Sequence, residues 1–302
     1  MSFPRQVIKG RIYLVTRRCT QREFLLRPDD ETNQAFVYCL AFAAQRSGVE
    51  VVAFIANSNH YHAVIVDARG LVPKFLEDFH KLLAKHQNVL RRRYENFWSS
   101  EQTSLVELVD EQDILAKTVY TLANPVKDQL VERASHWPGA TSLTATLTGK
   151  TLHLKRPRHF FRSDGGMPSS LTLRCMPPPG IALSRRDFAT AVRSGIRVAE
   201  TDAAAERRRT GGRVLGRDAI LRQSPTDRPA PKPAERTLDP QVAARDKGMR
   251  IEALVRLKEF RRAYADSRTS WLQGDEVLFP AGTWWLRKFS AVTCVDCDDV
   301  GD

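Results

Sequence analysis

Residues 49–67 read VEVVAFIANSNHYHAVIVD, and this stretch decides the fold. The run from Val49 to Ala56 is rich in β-branched and apolar side chains, which favours a strand, and the polar residues 57–59 that follow are typical of a turn. The apolar pattern returns from His60 to Asp67, so the stretch predicts a β-hairpin of two antiparallel strands. Two histidines open the second strand, one on each side of Tyr61.

Strand and helix patterns alternate around this hairpin. In chain order they predict a strand over 11–18, a helix over 34–46, the hairpin, a helix over 73–94, a strand over 105–109, and a helix that reaches Tyr120 before Pro125 interrupts it. The order β-α-β-β-α-β-α predicts an α+β fold with a ferredoxin-like, RRM-like antiparallel sheet and helices mainly on one face. The other face is expected to stay open for ligands.

The residue composition of the chain changes beyond Phe161, where glycine and proline become frequent. Gly165-Gly166, Pro168 and the run from Pro177 to Gly180 predict a Pro/Gly-rich linker over 163–182. This divides the chain into a first domain over 1–162 and a basic, mainly helical C-terminal region over 183–302. Helical patterns in that region cover about 185–209 and 240–272.

Composition points to a polyanionic partner. The 302 residues carry 47 Lys and Arg against 35 Asp and Glu, giving a formal charge of +12 and a pI near 9.8. Such a balance favours nucleic acid, although it also serves solubility alone. Five cysteines without a regular framework and no apolar leader predict a cytoplasmic protein. No run approaches the ~18 apolar residues of a spanning helix, so a membrane role is not expected.

The histidine pair is the first candidate for chemistry. Side chains alternate along a strand, so His60 and His62 point to one face and Tyr61 to the other. Two imidazoles one pleat apart can hold a divalent ion and leave positions free for substrate oxygens. The alternative is a pair of histidines that simply packs on a half-solvated sheet face.

A second cluster follows about sixty residues later. Tyr120 and Asn124 are four residues apart on a predicted helix, which places a phenol and an amide oxygen side by side. The amide oxygen is a candidate third metal ligand. Alternatively, the Asn-Pro pair ends the helix and the tyrosine belongs to a core or an interface. The combination with the two histidines favours the functional interpretation.

The two motifs together resemble the REP-associated tyrosine transposases, which belong to the single-tyrosine HUH transposases of bacterial insertion sequences. Residues 58–66, SNHYHAVIV, match the His-hydrophobic-His metal strand, and residues 119–126, VYTLANPV, match the nucleophile helix. Element order agrees as well, and the resemblance covers roughly residues 6 to 140.

The resemblance implies an HUH endonuclease fold and a metal-dependent single-strand DNA transposase. It implies Mg²⁺ or Mn²⁺ held by His60, His62 and a third ligand, for which Asn124 is the candidate. Tyr120 would be the nucleophile that forms a 5′-phosphotyrosine and lets the enzyme cleave and rejoin DNA, with hairpin-containing repeats as expected substrates. Tyr94 or Tyr61 is next in line should Tyr120 not act.

Basic residues outside these motifs are candidate DNA contacts. They are Arg17 and Arg18 at the end of the first strand, Arg91, Arg92 and Arg93 beside Tyr94 and Trp98, and Arg207, Arg208 and Arg209 in the C-terminal region. The aromatic neighbours suit stacking with unpaired bases. A solvated helix face is the alternative for the basic residues of the second helix.

Other functions use the same motifs. A replication-initiator or relaxase-like nickase has the same histidine pair and tyrosine, and a domesticated DNA-binding regulator would keep the fold without the reaction. A metal-only hydrolase would use the histidines and leave Tyr120 structural. The oligomeric state is open, with a homodimer as one option.

Overall fold

The structure is a computed structural model that describes residues 4–158, 161–162, 164–230 and 240–296. The strands of these residues are β1 (Arg11–Arg18), β2 (Glu50–Ala56), β3 (His60–Asp67), β4 (Ser104–Leu108), β5 (Leu152–Lys155), β6 (Ser170–Leu173), β7 (Val242–Ala243), β8 (Leu278–Phe279) and β9 (Thr293–Cys294). The helices are α1 (Asp30–Ser47), α2 (Val72–Leu90), α3 (Glu111–Lys127), α4 (Leu143–Thr148), α5 (Arg185–Thr210), α6 (Arg217–Arg222), α7 (Lys247–Gln273) and α8 (Trp285–Phe289). None of the helices in the described residues is both long and apolar enough to cross a membrane.

The main sheet has the strand order β2-β3-β1-β4-β7. β1 pairs antiparallel with β3 and β4, and β2 pairs antiparallel with β3, so the predicted hairpin is present. The predicted order β-α-β-β-α-β-α is confirmed, and so is the α+β fold class. β7 adds a short parallel strand beside β4 that the sequence did not predict.

One face of the sheet is covered by α1 and α2. Alternate strand residues, among them Tyr61 and Phe54, pack there against Phe36 of α1 and Phe79 of α2. Each of these rings is fully buried, and burying such a side chain stabilises the fold by about 1.5–3 kcal/mol. This core fixes the direction in which the intervening β3 residues point.

The second face is more covered than the sequence suggested. Val64 and Val66 of β3 are buried there under α3, and α5 packs on α3 through Val192 and Ile196. The central strands carry apolar side chains on both faces, so helices have to pack on both faces to keep these side chains from water. A cleft remains on this face beside His60, at the end of the sheet where β3 begins.

α3 does not stop at Pro125, contrary to expectation. The helix continues to Lys127, because a proline in the last turn removes only one backbone donor. The N–H of Asp128 still donates to the carbonyl of Asn124 at 3.0 Å, so the last turn closes in spite of the proline. Tyr120 and Asn124 therefore lie on one continuous helix.

The proposed division at 163–182 stays a prediction, and the described residues make many contacts across it. β6 lies within this range and pairs with β5, while α5 and β7 from the C-terminal region join the core and the sheet. Ser163 and residues 231–239 lie outside the described residues. The two predicted C-terminal helices are confirmed as α5 and α7.

Candidate active site

The turn that precedes β3 is held by backbone hydrogen bonds. The N–H of Asn57 donates to the carbonyl of His60 at 2.8 Å and closes the turn. The N–H groups of Cys19 and Leu26 donate to the carbonyls of Asn59 and Ser58 at 2.7 and 2.8 Å. The backbone that carries the first histidine is thus fixed before any ligand binds.

His60 and His62 lie on the same side of β3, with ring centroids 4.9 Å apart and ring planes at 80°. Each ring has a polar partner at Nδ1. Oδ1 of Asn59 lies 2.7 Å from Nδ1 of His60, and the hydroxyl of Thr16 lies 2.8 Å from Nδ1 of His62. An Nδ1–H that donates to such a partner leaves Nε2 as the acceptor, which is how metal-binding histidines are oriented.

Burial keeps both imidazoles neutral. It lowers the pKa of His60 to about 4, and the charges of Arg18 and Arg22 act in the same direction. The pKa of His62 lies well below its usual value because of burial and the neighbouring His60. Neutral imidazole is the form that binds a metal ion, so both rings are ready for one at neutral pH.

Tyr120 and Asn124 meet the histidines from α3. The ring of Tyr120 lies 5.1 Å from the ring of His62, at an angle of 68°. Oδ1 of Asn124 accepts a hydrogen bond of 2.7 Å from the amide of Asn57. The four residues singled out from the sequence therefore come together within a single chain.

The environment of Tyr120 holds the proton on its phenol. Burial raises the pKa of Tyr120, the charge of Asp128 raises it further, and a hydrogen bond with Asn124 opposes these effects. Nζ of Lys127 lies 5.3 Å from the centre of the ring. A phenolate is a better nucleophile than a phenol, so a tyrosine in this environment would need positive charge nearby to act as one.

These residues line a cleft of about 710 Å³. Besides the two histidines, Tyr120 and Asn124, its wall includes the cations Arg18, Arg22 and Lys127. A concave wall with several cations attracts a phosphate backbone. A second cavity of about 640 Å³ between α3 and α5 shares Tyr120 and Lys127 with the cleft.

Arg17 and Arg18 differ in their surroundings. Arg17 points away from the histidine face, lies over the ring of Trp98 at 5.7 Å, and donates to Thr103. Burial lowers the pKa of Arg17. Arg18 is exposed at the rim of the cleft and pairs with Glu101 at 2.9 Å. Arg18 is thus the better placed of the two to contact a phosphate.

Two of the three arginines in the triplet Arg91–Arg93 form ion pairs within the fold. Arg91 pairs with Asp29 at 2.8 Å and Arg93 pairs with Glu23 at 3.1 Å. Arg92 is exposed and has a positive φ of 51°, at the end of α2. Contact of this triplet with DNA stays a prediction, with Arg92 as its accessible member.

The two aromatic neighbours of the triplet have opposite environments. Trp98 is buried and donates from Nε1 to the carbonyl of His80 at 3.0 Å, so it is a core residue and the expectation of base stacking there is wrong. Tyr94 is 99% exposed and remains available for stacking. Tyr61 is fully buried, and its hydroxyl lies 2.6 Å from Nε2 of His80, which removes it as a nucleophile.

The three C-terminal arginines lie in the last turn of α5. Arg207 donates to Oε1 of Gln129 at 2.8 Å, and Gln129 also lines the cleft. Arg209 pairs with Glu206 at 2.5 Å, and Arg208 is exposed. The end of α5 thus approaches the edge of the cleft, and a role of these arginines in DNA binding stays a prediction.

The donor set of the cleft suits a divalent ion of intermediate hardness. It consists of two neutral imidazoles and the amide oxygen of Asn124, and mixed nitrogen and oxygen ligands suit Mn²⁺ at least as well as Mg²⁺. In the part of the chain that the structure describes, no group of three or more His, Cys, Asp or Glu side chains could hold a metal ion. A third ligand from the protein would be an amide oxygen, for which Asn124 stays the predicted candidate.

Sequence reasoning missed three residues of this site. Asn57 was assigned to a turn only, yet its amide lies 3.0 Å from Nε2 of His60. Thr16 is the β1 residue opposite His62, which the strand register reveals and a single sequence does not. Lys127 lies two residues beyond Pro125, where the helix was expected to have ended.

No protein-family model and no curated protein matches this chain. Among solved structures it is similar to a REP-associated tyrosine transposase bound to a REP hairpin, with 17% identity and a TM-score of 0.42 over 49% of this chain and 85% of that one. It is also similar to a candidate transposase from Deinococcus radiodurans R1, with 17% identity and a TM-score of 0.29 over 40% of this chain and 95% of that one.

Proposed function

We propose that this protein cleaves and rejoins single-stranded DNA, with Tyr120 as the nucleophile and Mg²⁺ or Mn²⁺ held by His60, His62 and Asn124. Hairpin-containing DNA is the expected substrate, and transposition is the expected biological use. The observation that carries the proposal is the distance of 5.1 Å between the rings of His62 and Tyr120, two residues 58 positions apart in the sequence.

The reaction is a transesterification at phosphorus. The oxygen of Tyr120 attacks the scissile phosphate, the bond from phosphorus to the 3′-oxygen breaks, and that oxygen takes up a proton to become a 3′-hydroxyl. The phenol loses its proton to solvent, and the product is a 5′-phosphotyrosine. Attack by another 3′-hydroxyl reverses these events and releases Tyr120, so that rejoining needs no ATP.

Each side chain has a part in this reaction. Lys127 stabilises negative charge on the attacking phenol, and Arg18 and Arg22 hold the strand along the cleft. The neutral histidines present nitrogen lone pairs toward the phosphate site. A bound divalent ion supplies Lewis-acid stabilisation of the charge that builds up on the phosphate.

The test uses a 5′-labelled and a 3′-labelled single-stranded hairpin oligonucleotide with Mn²⁺ on a denaturing gel. The wild-type protein is expected to retain the 3′-labelled fragment covalently, and Tyr120→Phe is expected to bind the hairpin without forming this adduct. Tyr94→Phe is the matched control, because Tyr94 is exposed and outside the cleft, and it should form the adduct at the wild-type rate.

Three outcomes would contradict the proposal. An adduct with Tyr120→Phe would assign the nucleophile elsewhere. Cleavage that releases a free 5′-phosphate would indicate a metal-only hydrolase. Hairpin binding by the wild type without any cleavage would favour a DNA-binding regulator.

A further inference from the structure

Asn57 lies between two candidate ligands of the metal site. Its amide nitrogen is 3.0 Å from Nε2 of His60 and 2.7 Å from Oδ1 of Asn124. Both of these atoms carry lone pairs, and the single N–H₂ group of Asn57 donates to both. This amide therefore supplies the positive partner that the two acceptors require.

The same amide has an unsatisfied oxygen. Asn57 is 2% exposed, and within the described residues its Oδ1 has no hydrogen-bonding partner. A buried amide oxygen without a partner is unfavourable, so its position calls for a physical reason. The backbone of Asn57 is held by its hydrogen bond to the carbonyl of His60, which leaves the orientation of the carboxamide as the adjustable element.

Rotation of the carboxamide by 180° exchanges its nitrogen and oxygen and leaves the rest of the side chain in place. In that orientation Oδ1 of Asn57 faces the same two atoms, Nε2 of His60 and Oδ1 of Asn124. Three acceptors that face one another repel unless a cation lies among them. The rotated orientation would therefore suit a cation bound among the three acceptors.

We propose that Asn57 is a metal ligand of this site and that its amide oxygen binds the divalent cation. The proposal rests on the proposed function, since it concerns the same ion. It adds a second amide oxygen to the two imidazoles and Asn124, which favours a harder divalent ion such as Mn²⁺ or Mg²⁺ over a softer one.

The test measures Mn²⁺ binding to the DNA-free full-length protein, by the loss of the EPR signal of aqueous Mn²⁺. Asn57→Ala should weaken binding by about tenfold or more, since even indirect partners of a metal site act on that scale. Asn57→Asp should bind Mn²⁺ at least as tightly as the wild type, because a carboxylate presents an oxygen in either orientation. Thermal unfolding without metal checks that each variant is folded.

Two further variants make the result decisive. Asn57→Leu keeps the number and branching of the side-chain heavy atoms and carries the same prediction, should Asn57→Ala fail to fold. Gln102→Glu adds the same charge as Asn57→Asp at an exposed position on the rim of the cleft, and it should leave Mn²⁺ affinity near that of the wild type.

The proposal is overturned if Asn57→Ala and Asn57→Leu bind Mn²⁺ like the wild type. It is also overturned if Asn57→Asp binds as weakly as Asn57→Ala, because Asn57 would then act only as a hydrogen-bond donor that positions His60 and Asn124. Tightening by Gln102→Glu equal to that by Asn57→Asp would assign the effect to charge alone. A wild-type protein that binds no Mn²⁺ would overturn the metal part of the proposed function itself.

Discussion

Replacing Thr16 with valine should weaken metal binding without touching a ligand. The hydroxyl of Thr16 lies 2.8 Å from Nδ1 of His62, on the strand next to β3. Valine keeps the shape of the side chain and removes the hydroxyl. A hydroxyl that accepts from Nδ1–H of His62 keeps the proton on Nδ1 and leaves the lone pair of Nε2 for a metal ion. Without it, the proton can move to Nε2, where it blocks the metal.

The size of the effect follows from the burial of His62. In Thr16→Val, a metal ion binds only after the proton has returned to Nδ1, which is buried and has lost its partner. An unsatisfied buried donor costs about 1–3 kcal/mol. At 1.4 kcal/mol for each factor of ten, this corresponds to a loss of about 5- to 150-fold in affinity for Mn²⁺.

The assay is a titration with Mn²⁺ on the DNA-free protein, followed by the same titration with Thr16→Ser. Serine keeps the hydroxyl and removes only a methyl group, so this control should bind Mn²⁺ with an affinity near that of the wild type. Equal affinities for Thr16→Val and the wild type would refute the role assigned to Thr16. An equal loss in both variants would show that the methyl group, rather than the hydroxyl, matters.

Two further predictions concern charge and pH. Arg18→Ala should weaken hairpin binding and reduce its dependence on log salt by about 0.7 to 0.9, the contribution of one phosphate contact, measured by fluorescence anisotropy. Arg91→Ala should leave that dependence unchanged and destabilise the fold by about 1–3 kcal/mol, since Asp29 loses one of its two arginine partners and keeps Arg27. A change in salt dependence for Arg91→Ala and none for Arg18→Ala would contradict these assignments. The pKa of His80 lies well below its usual value because of burial and the charge of Arg17. As pH falls below about 6.5, the unfolded chain therefore takes up a proton that the folded chain does not, and stability is lost by up to about 1.4 kcal/mol per pH unit. His80→Gln should remove this share of the slope in urea unfolding between pH 7.5 and 5.5, and identical slopes would contradict the assignment.

Residue spacing and turn residues predicted the single strands and helices and the side chains that share a face on them. The hairpin over 49–67 followed from β-branched residues around a polar turn, and α1 followed from its apolar spacing. The shared face of His60 and His62 followed from strand alternation, and that of Tyr120 and Asn124 from helical spacing. Each of these inferences needs fewer than about twenty consecutive residues.

The features that sequence reasoning missed depend on contacts between distant segments. β7 is a two-residue strand whose existence depends on β4, more than 130 positions earlier. The cover that α5 places over α3 depends on matching two apolar stripes, one of which was assigned to a separate domain. Asn57 looked like a turn residue because its partners, His60 on β3 and Asn124 on α3, come together only in the folded chain.

The central claim is that Tyr120 becomes covalently linked to DNA, and mass spectrometry of the linked protein tests it most directly. After reaction with a short single-stranded hairpin and Mn²⁺, digestion with trypsin and nuclease should leave a nucleotide phosphate on the peptide TVYTLANPVK, residues 118–127, whose one tyrosine is Tyr120. This mass shift is expected on that peptide in the wild type, and its loss is expected in His62→Ala. A shift on a peptide containing Tyr94, or complete cleavage of the hairpin with an unmodified 118–127 peptide, would contradict it.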